Sequence, residues 1–130
     1  AVVRGDVNKI TIGDRVNIQD GAVIHTLYQR SVTEIGNDVS IGHNANVHGA
    51  KIEDKCLIGM GATVLDHAVV GTGSIVAANS LVLTGTVIEP GSVYAGVPAR
   101  RVKGVTPEQV RDIIERTARD YMMYASWYKE

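Results

Sequence analysis

The sequence predicts an all-β solenoid: a parallel β-helix of six-residue repeats, followed by a C-terminal α-helix. Three observations lead there. From position 52 a β-branched residue recurs every sixth place: Ile52, Ile58, Val64, Val70, Val76, Val82 and Ile88. Four residues after each stands a small one: Cys56, Ala62, Ala68, Ser74, Ser80, Thr86 and Ser92. The composition has no phenylalanine, 14 glycines and only 3 prolines. A core without Phe and rich in β-branched side chains fits narrow spaces between closely stacked strands. Fixed internal periodicity is the signature of repeat architectures.

Each hexad is expected to supply one short strand and one turn, with the aliphatic and the small residue both facing inward. Three hexads close one triangular coil, and coils stack at about 4.8 Å, the ordinary spacing between strands. About five such coils fit between Val3 and Val93. A sandwich would instead show turn signals every 8–12 residues or so, with period-2 alternation, and neither appears.

Upstream the same pattern runs in shifted register, through Ile12, Ile18 and Ile24 with Val16 and Ala22, then Ile35, Ile41 and Val47 with Val39 and Ala45. Glycine often follows the aliphatic residue, at Gly13, Gly36, Gly42, Gly59 and Gly71. Two places break the repeat. Residues 25–34 contain no clean hexad and read as an excursion from one coil. Near Lys51 the register slips, because Ile52 follows Val47 after five residues. Irregularities in solenoids often map to function, and both breaks lie beside histidines.

The β-helix is expected over residues 1–103, and a helix packed on it over 104–130. Thr106 reads as the N-cap, Pro107 as the first helical residue, and Gln109 as the partner that closes a capping box. Val110, Ile113, Ile114, Ala118, Tyr121, Met122 and Ala125 follow at helical spacing. Tyr121, Tyr124, Trp127 and Tyr128 read as packing residues.

Thirteen basic and fourteen acidic residues give a net charge of −1 over 130 residues. That balance predicts no strong attraction to nucleic acid or membrane surfaces. A single cysteine, Cys56, forbids an internal disulfide and fits a reducing, cytoplasmic setting. No stretch is long and apolar enough to span a bilayer. The chain opens directly on Ala1-Val2-Val3, so the natural chain is expected to start earlier and to carry any targeting segment there.

His25 follows Ile24 and His48 follows Val47, so both occupy the place after an inward aliphatic, while His43 sits one further along its hexad. All three should face outward from the prism. Zinc in catalytic sites commonly takes three protein ligands and leaves one position open. By spacing alone, the three also read as surface histidines on a small solenoid. His67, three residues after Val64, reads as a surface turn residue.

Three segments carry a resemblance: Val3-Arg4-Gly5-Asp6-Val7-Asn8, the stretch Ile12-Gly13-Asp14-Arg15-Val16-Asn17-Ile18-Gln19-Asp20-Gly21 through His25, and Ile41-Gly42-His43-Asn44-Ala45-Asn46-Val47-His48-Gly49. Together they resemble the motifs of the γ-class carbonic anhydrase family, over roughly residues 1–103. The resemblance implies a left-handed β-helix, a hand that the period alone does not reveal and that departs from the right-handed crossover rule. It implies a homotrimer with a metal between subunits, held by His25 and His48 of one chain and His43 of its neighbour. It places Arg4 and Asp6 at the subunit contact beside the metal, and Gln19 near the metal-bound solvent. Asn17 and Asp20 match the same motif, although Asn and Asp are also ordinary corner residues.

The activity implied is reversible hydration of carbon dioxide to bicarbonate by a metal-bound hydroxide. The expected metal is zinc, with iron or cobalt as alternatives, since all suit imidazole. The sequence departs from the family where protons leave. Val7 follows Asp6 where a family member has glutamate, and Tyr28 stands in the loop after His25 where another glutamate would sit. Weak hydratase activity is consistent with that departure. Hexapeptide-repeat acyltransferases, which use acyl-CoA, are similar in the prism and in the closing segment Tyr94-Ala95-Gly96-Val97-Pro98-Ala99-Arg100. They rely on one catalytic histidine, so three in metal spacing favour the hydratase. A third class is an assembly or binding homologue without turnover.

Overall fold

The computed structural model describes residues 1–5, 8–26, 31–109 and 111. The chain winds into a left-handed parallel β-helix of about five coils with three flat faces. The first face holds β1 (Val2–Arg4), β4 (Val23–His25), β7 (Asn46–His48), β10 (Thr63–Val64) and β13 (Leu81–Val82). The second holds β2 (Ile10–Ile12), β5 (Thr33–Ile35), β8 (Lys51–Ile52), β11 (Val69–Val70) and β14 (Val87–Ile88). The third holds β3 (Asn17–Ile18), β6 (Ser40–Ile41), β9 (Leu57–Ile58), β12 (Ile75–Val76), β15 (Ser92–Ala95) and β16 (Arg100–Gly104).

The hexad dictates this shape. From Ile24 onward the aliphatic of the repeat lies at or next to the end of a strand and points into the prism: Ile24, Ile41, Val47, Ile52, Ile58, Val64, Val70, Val76, Val82 and Ile88 are all buried, whereas Ile12 in the first coil is exposed. Each such side chain contributes about 1.5–3 kcal/mol relative to leaving it in water. The small residue two places before the next aliphatic is buried too, as at Ala22, Ala45, Cys56, Ala62, Ala68, Ser74, Ser80 and Ser92. Immediately before it the backbone turns through the left-handed region. Gly21, Gly61, Gly73, Gly85 and Gly91 do so without a Cβ, and Arg15, Asp38, Asn44, Lys55, His67 and Asn79 do so despite one.

The two breaks are length changes in the winding, and the first coil, from Val2 to Val23, is itself three residues longer than the regular one. In the regular part Thr63 pairs with Leu81, eighteen residues on. Across the excursion the pairing is Val23 with Asn46, a coil longer by five. Across the slip it is Asn46 with Thr63, a coil shorter by one. The missing residue belongs to the corner after His48, where Gly49 turns with φ +65° and Ala50 still reaches the inward position.

The third face ends differently from the repeat. After β15 the chain reverses, and β16 pairs with β15 antiparallel, Val93 opposite Lys103 and Ala95 opposite Arg100. Every residue of β16 is exposed, so no inward periodicity marks it in the sequence. The helix start behaves as the sequence predicts. The Thr106 amide donates to Gln109 Oε1 at 3.0 Å, and the Gln109 amide donates to Thr106 Oγ1 at 3.2 Å. The helix is described over Pro107–Gln109; the apolar stripe expected from Val110 onward lies outside the described residues. Among the described residues no helix is long and apolar enough to cross a membrane.

Cys56 fills an inward corner, with Sγ 3.2 Å from the Gly71 carbonyl oxygen. Burial pushes its thiol up to about 12 from an ordinary 9.0. The folded chain therefore keeps the neutral thiol, and the associated stability is complete below pH 9.0 and lost as the pH rises toward about 12. Iodoacetamide is expected to leave Cys56 untouched in the native protein near neutral pH and to label it on unfolding, which mass spectrometry reads directly. On the surface, Arg15 and Asp38 clamp two successive coils by a bidentate pair, Nε to Oδ1 at 2.6 Å and Nη2 to Oδ2 at 3.1 Å. The hydrogen bond from Arg15 holds the Asp38 carboxyl below its usual range.

Candidate metal centre

The first face carries the histidines at its two edges. β1, β4 and β7 stack in register, so Arg4, His25 and His48 form one column at the end of the strands. The His25 and His48 rings lie 5.1 Å apart between centroids and meet edge to face at 70°. Both are half-buried, as expected for residues one place past an inward aliphatic. Two imidazoles on adjacent strands can approach one ion together, and imidazole suits zinc, iron and cobalt.

His43 lies in the turn between β6 and β7, at the other edge of the same face. Its carbonyl accepts the Gly61 amide at 2.8 Å, and Asp20 stacks on that corner by accepting the Asn44 amide at 3.1 Å. From there the chain runs along β7 to His48, roughly 3.3 Å of extended backbone per residue. Zinc–nitrogen bonds span only about 2.0–2.1 Å. Among the described residues, no group of three or more His, Cys, Asp or Glu side chains in one chain is placed to hold a metal ion. The chain thus presents two imidazoles at one edge of the face and one at the other, donors of a kind that suits a transition-metal ion.

Gln19 belongs to the His43 edge, one place past Ile18 on the third face. Its Nε2 donates to Asn17 Oδ1 at 3.1 Å, and Asn17 Nδ2 donates to Ser40 Oγ at 2.7 Å. Asn17 thus holds Gln19, whereas Asp20 is an exposed corner residue that contributes its backbone carbonyl. Arg4 stands beside His25 at the other edge. Asp6, Val7 and Tyr28 lie outside the described residues. His67 is exposed at a corner with φ 63°.

Sequence reasoning missed the support around His48. Asp66 Oδ1 lies 2.8 Å from His48 Nδ1 and accepts Ser31 Oγ–H at 3.0 Å. Thr33 ties the two histidine strands together, its Oγ1–H donating to the His25 carbonyl at 2.7 Å while Oγ1 accepts the Gly49 amide at 2.9 Å. Ser31 and Thr33 are buried members of the chain returning from the excursion. The signal that pointed to them was the break in the repeat itself, which carries no information about which side chains return to the corner.

Comparison with known proteins decides the family. Over 119 residues the chain is 58% identical to a protein of Methanocaldococcus jannaschii described as a probable carbonic anhydrase, covering 92% of this chain and 74% of that one. It is 42% identical over 125 residues to gamma carbonic anhydrase 1, mitochondrial, of Arabidopsis thaliana, covering 92% of this chain and 45% of the plant protein. The chain belongs to the γ-class carbonic anhydrase-like family. Within it the repeat also matches the family model described as bacterial transferase hexapeptide (six repeats), over residues 32–65 and 49–84. The γ-class prism has a close counterpart in the crystal structure of a hexapeptide transferase family protein from Anaplasma phagocytophilum. The TM-score is 0.91 at 37% identity, over 98% of this chain and 74% of that one.

Proposed function

We propose that this chain is a metal-dependent γ-carbonic anhydrase-like lyase that interconverts carbon dioxide and bicarbonate, with its metal held between the subunits of a homotrimer. The observation that carries the reading is the division of the histidines. His25 and His48 lie side by side at one edge of the first face, and His43 stands at the other. In a closed ring of identical subunits one edge of each meets the opposite edge of the next. His25 and His48 of one subunit and His43 of its neighbour would then hold zinc, with iron or cobalt as alternatives. A divalent metal on three neutral imidazoles supplies Lewis-acid activation of water at neutral pH.

The chain's own residues orient and enclose the reactants. With Nε2 engaged by Asn17, Gln19 keeps Oε1 to accept a hydrogen bond from a reacting oxygen. Arg4, in register with His25, offers a rigid fork of donors suited to a carboxylate-like anion or to a subunit contact through Asp6. The single buried thiol supports a reducing, cytoplasmic setting.

The acyltransferase reading draws on the prism, which is similar to that of a transferase family protein. A pair of imidazole rings 5.1 Å apart has no part in that chemistry and supports the hydratase. Purified protein is expected to carry about one zinc per subunit, as three junctions in a trimer require, and to hydrate carbon dioxide above background until a chelator strips the metal. Acyl transfer from acyl-CoA by metal-stripped protein would replace this reading. Bound zinc without turnover would leave an assembly homologue.

A further inference from the structure

The shortened corner after His48 does more than absorb a register slip. In the regular hexads two residues separate the inward aliphatic from the left-handed corner residue, as Leu65 and Asp66 do before His67. After Val47 only His48 does so before Gly49. The vacated place is filled from the next coil by the Asp66 carboxylate. A Cβ on Gly49 would sit 2.7 Å from Ser31 Cβ and would overlap both Asp66 Oδ1 and Ser31 Oγ. The omitted residue and the absent side chain together open the room in which the carboxylate reaches His48.

We infer that Asp66 is the positioning residue of the metal centre: it accepts the Nδ1–H of His48, fixes that tautomer and ring orientation, and leaves Nε2 as the ligating atom. The inference rests on the metal-centre reading above. A carboxylate only accepts hydrogen bonds, so the 2.8 Å contact calls for a proton on Nδ1. In the neutral ring that metal ligation requires, the lone pair is then on Nε2. Ser31 holds the same carboxylate oxygen from the other side at 3.0 Å, which fixes its direction. Carboxylate partners of ligating histidines set ring orientation and raise ligand basicity in this way. The excursion thereby acquires a function: it returns Ser31 to Asp66 and Thr33 to the His25 carbonyl and Gly49 amide.

The test has one arm without metal and one with it. In ¹⁵N-labelled metal-free protein at about pH 8, where an ordinary imidazole is neutral, His48 is expected in the Nδ1–H form by its ring nitrogen shifts. Asp66→Ala is expected to move it to the Nε2–H form and to weaken zinc binding, measured by chelator competition, by about 10- to 100-fold. Asp66→Asn keeps an acceptor oxygen and is expected to rescue the tautomer. A merely structural role for Asp66 would lower the melting temperature without changing the tautomer. Should Asp66→Ala fail to fold, Ser31→Ala frees the carboxylate and is expected to weaken zinc binding by a few-fold. Wild-type His48 in the Nε2–H form, or unchanged tautomer and zinc affinity in the folded variants, overturns the assignment. Wild-type protein that binds no zinc overturns the metal-centre reading, while the metal-free arm still decides what Asp66 does.

Discussion

Trimers assembled from an equal mixture of His43→Ala and His48→Ala chains are expected to recover about a quarter of the metal sites that either variant lacks alone. The expectation follows from where the rings stand. His48 pairs with His25 at one edge of the first face, and His43 occupies the opposite edge. Each variant alone spoils one half-site at every junction of its trimer, leaving two imidazoles where three are needed. In a mixed ring a junction is whole when the His25–His48 edge of a His43→Ala chain meets the His43 edge of a His48→Ala chain. Random head-to-tail closure makes that so at about one junction in four. Co-refolding the two variants and measuring zinc per subunit, alongside hydration activity, reads the result. No recovery in properly formed trimers would sink the shared site. Full metal retention by either single variant would sink its ligand assignment.

The half-sites on which this result depends were only partly legible in the sequence. The prism was legible because its packing rule is local. An aliphatic at every sixth place and a small residue two places before it fill one triangular core, and from Ala22 to Ser92 those positions are buried apart from the half-buried Thr86. The edge-to-face pairing of His25 and His48 was legible in part. Both follow an inward aliphatic, but bringing them onto adjacent strands requires a coil of twenty-three residues between Val23 and Asn46, which no hexad count foresees. Asp66 was hidden because aspartate at a corner is ordinary turn chemistry. Its partner is set by the one-residue deficit a coil earlier. Strand β16 was hidden for another reason. It binds by backbone pairing to β15 with all its side chains exposed, so it leaves no hydrophobic pattern to read.

The glycines that follow the inward aliphatics are expected to be the most sensitive positions for stability, and Gly59→Ala tests this. A Cβ there would lie 2.6 Å from the Ala78 amide nitrogen and 2.8 Å from both the Ala77 carbonyl carbon and the Val76 oxygen. All three are backbone atoms of the next coil, so no flexible side chain can swing aside. The coil itself cannot lift without loss, because the Gly59 amide donates to the Val76 carbonyl at 2.8 Å and the strands on either side keep the spacing of about 4.8 Å. The substitution must either stretch the ladder or displace Ile58 beneath it, and a cost of about 2–4 kcal/mol is expected. Gly85 supplies the control. It turns with φ +76° and has nothing within 4 Å of a built Cβ, so asparagine, which tolerates the left-handed region, should cost no more than about 1 kcal/mol there. Denaturant melts of Gly59→Ala and Gly85→Asn at equal protein concentration distinguish the two mechanisms. Equal losses would mean that the coils are free to separate at the third face, and that glycine there serves the turn rather than the close approach of the next coil.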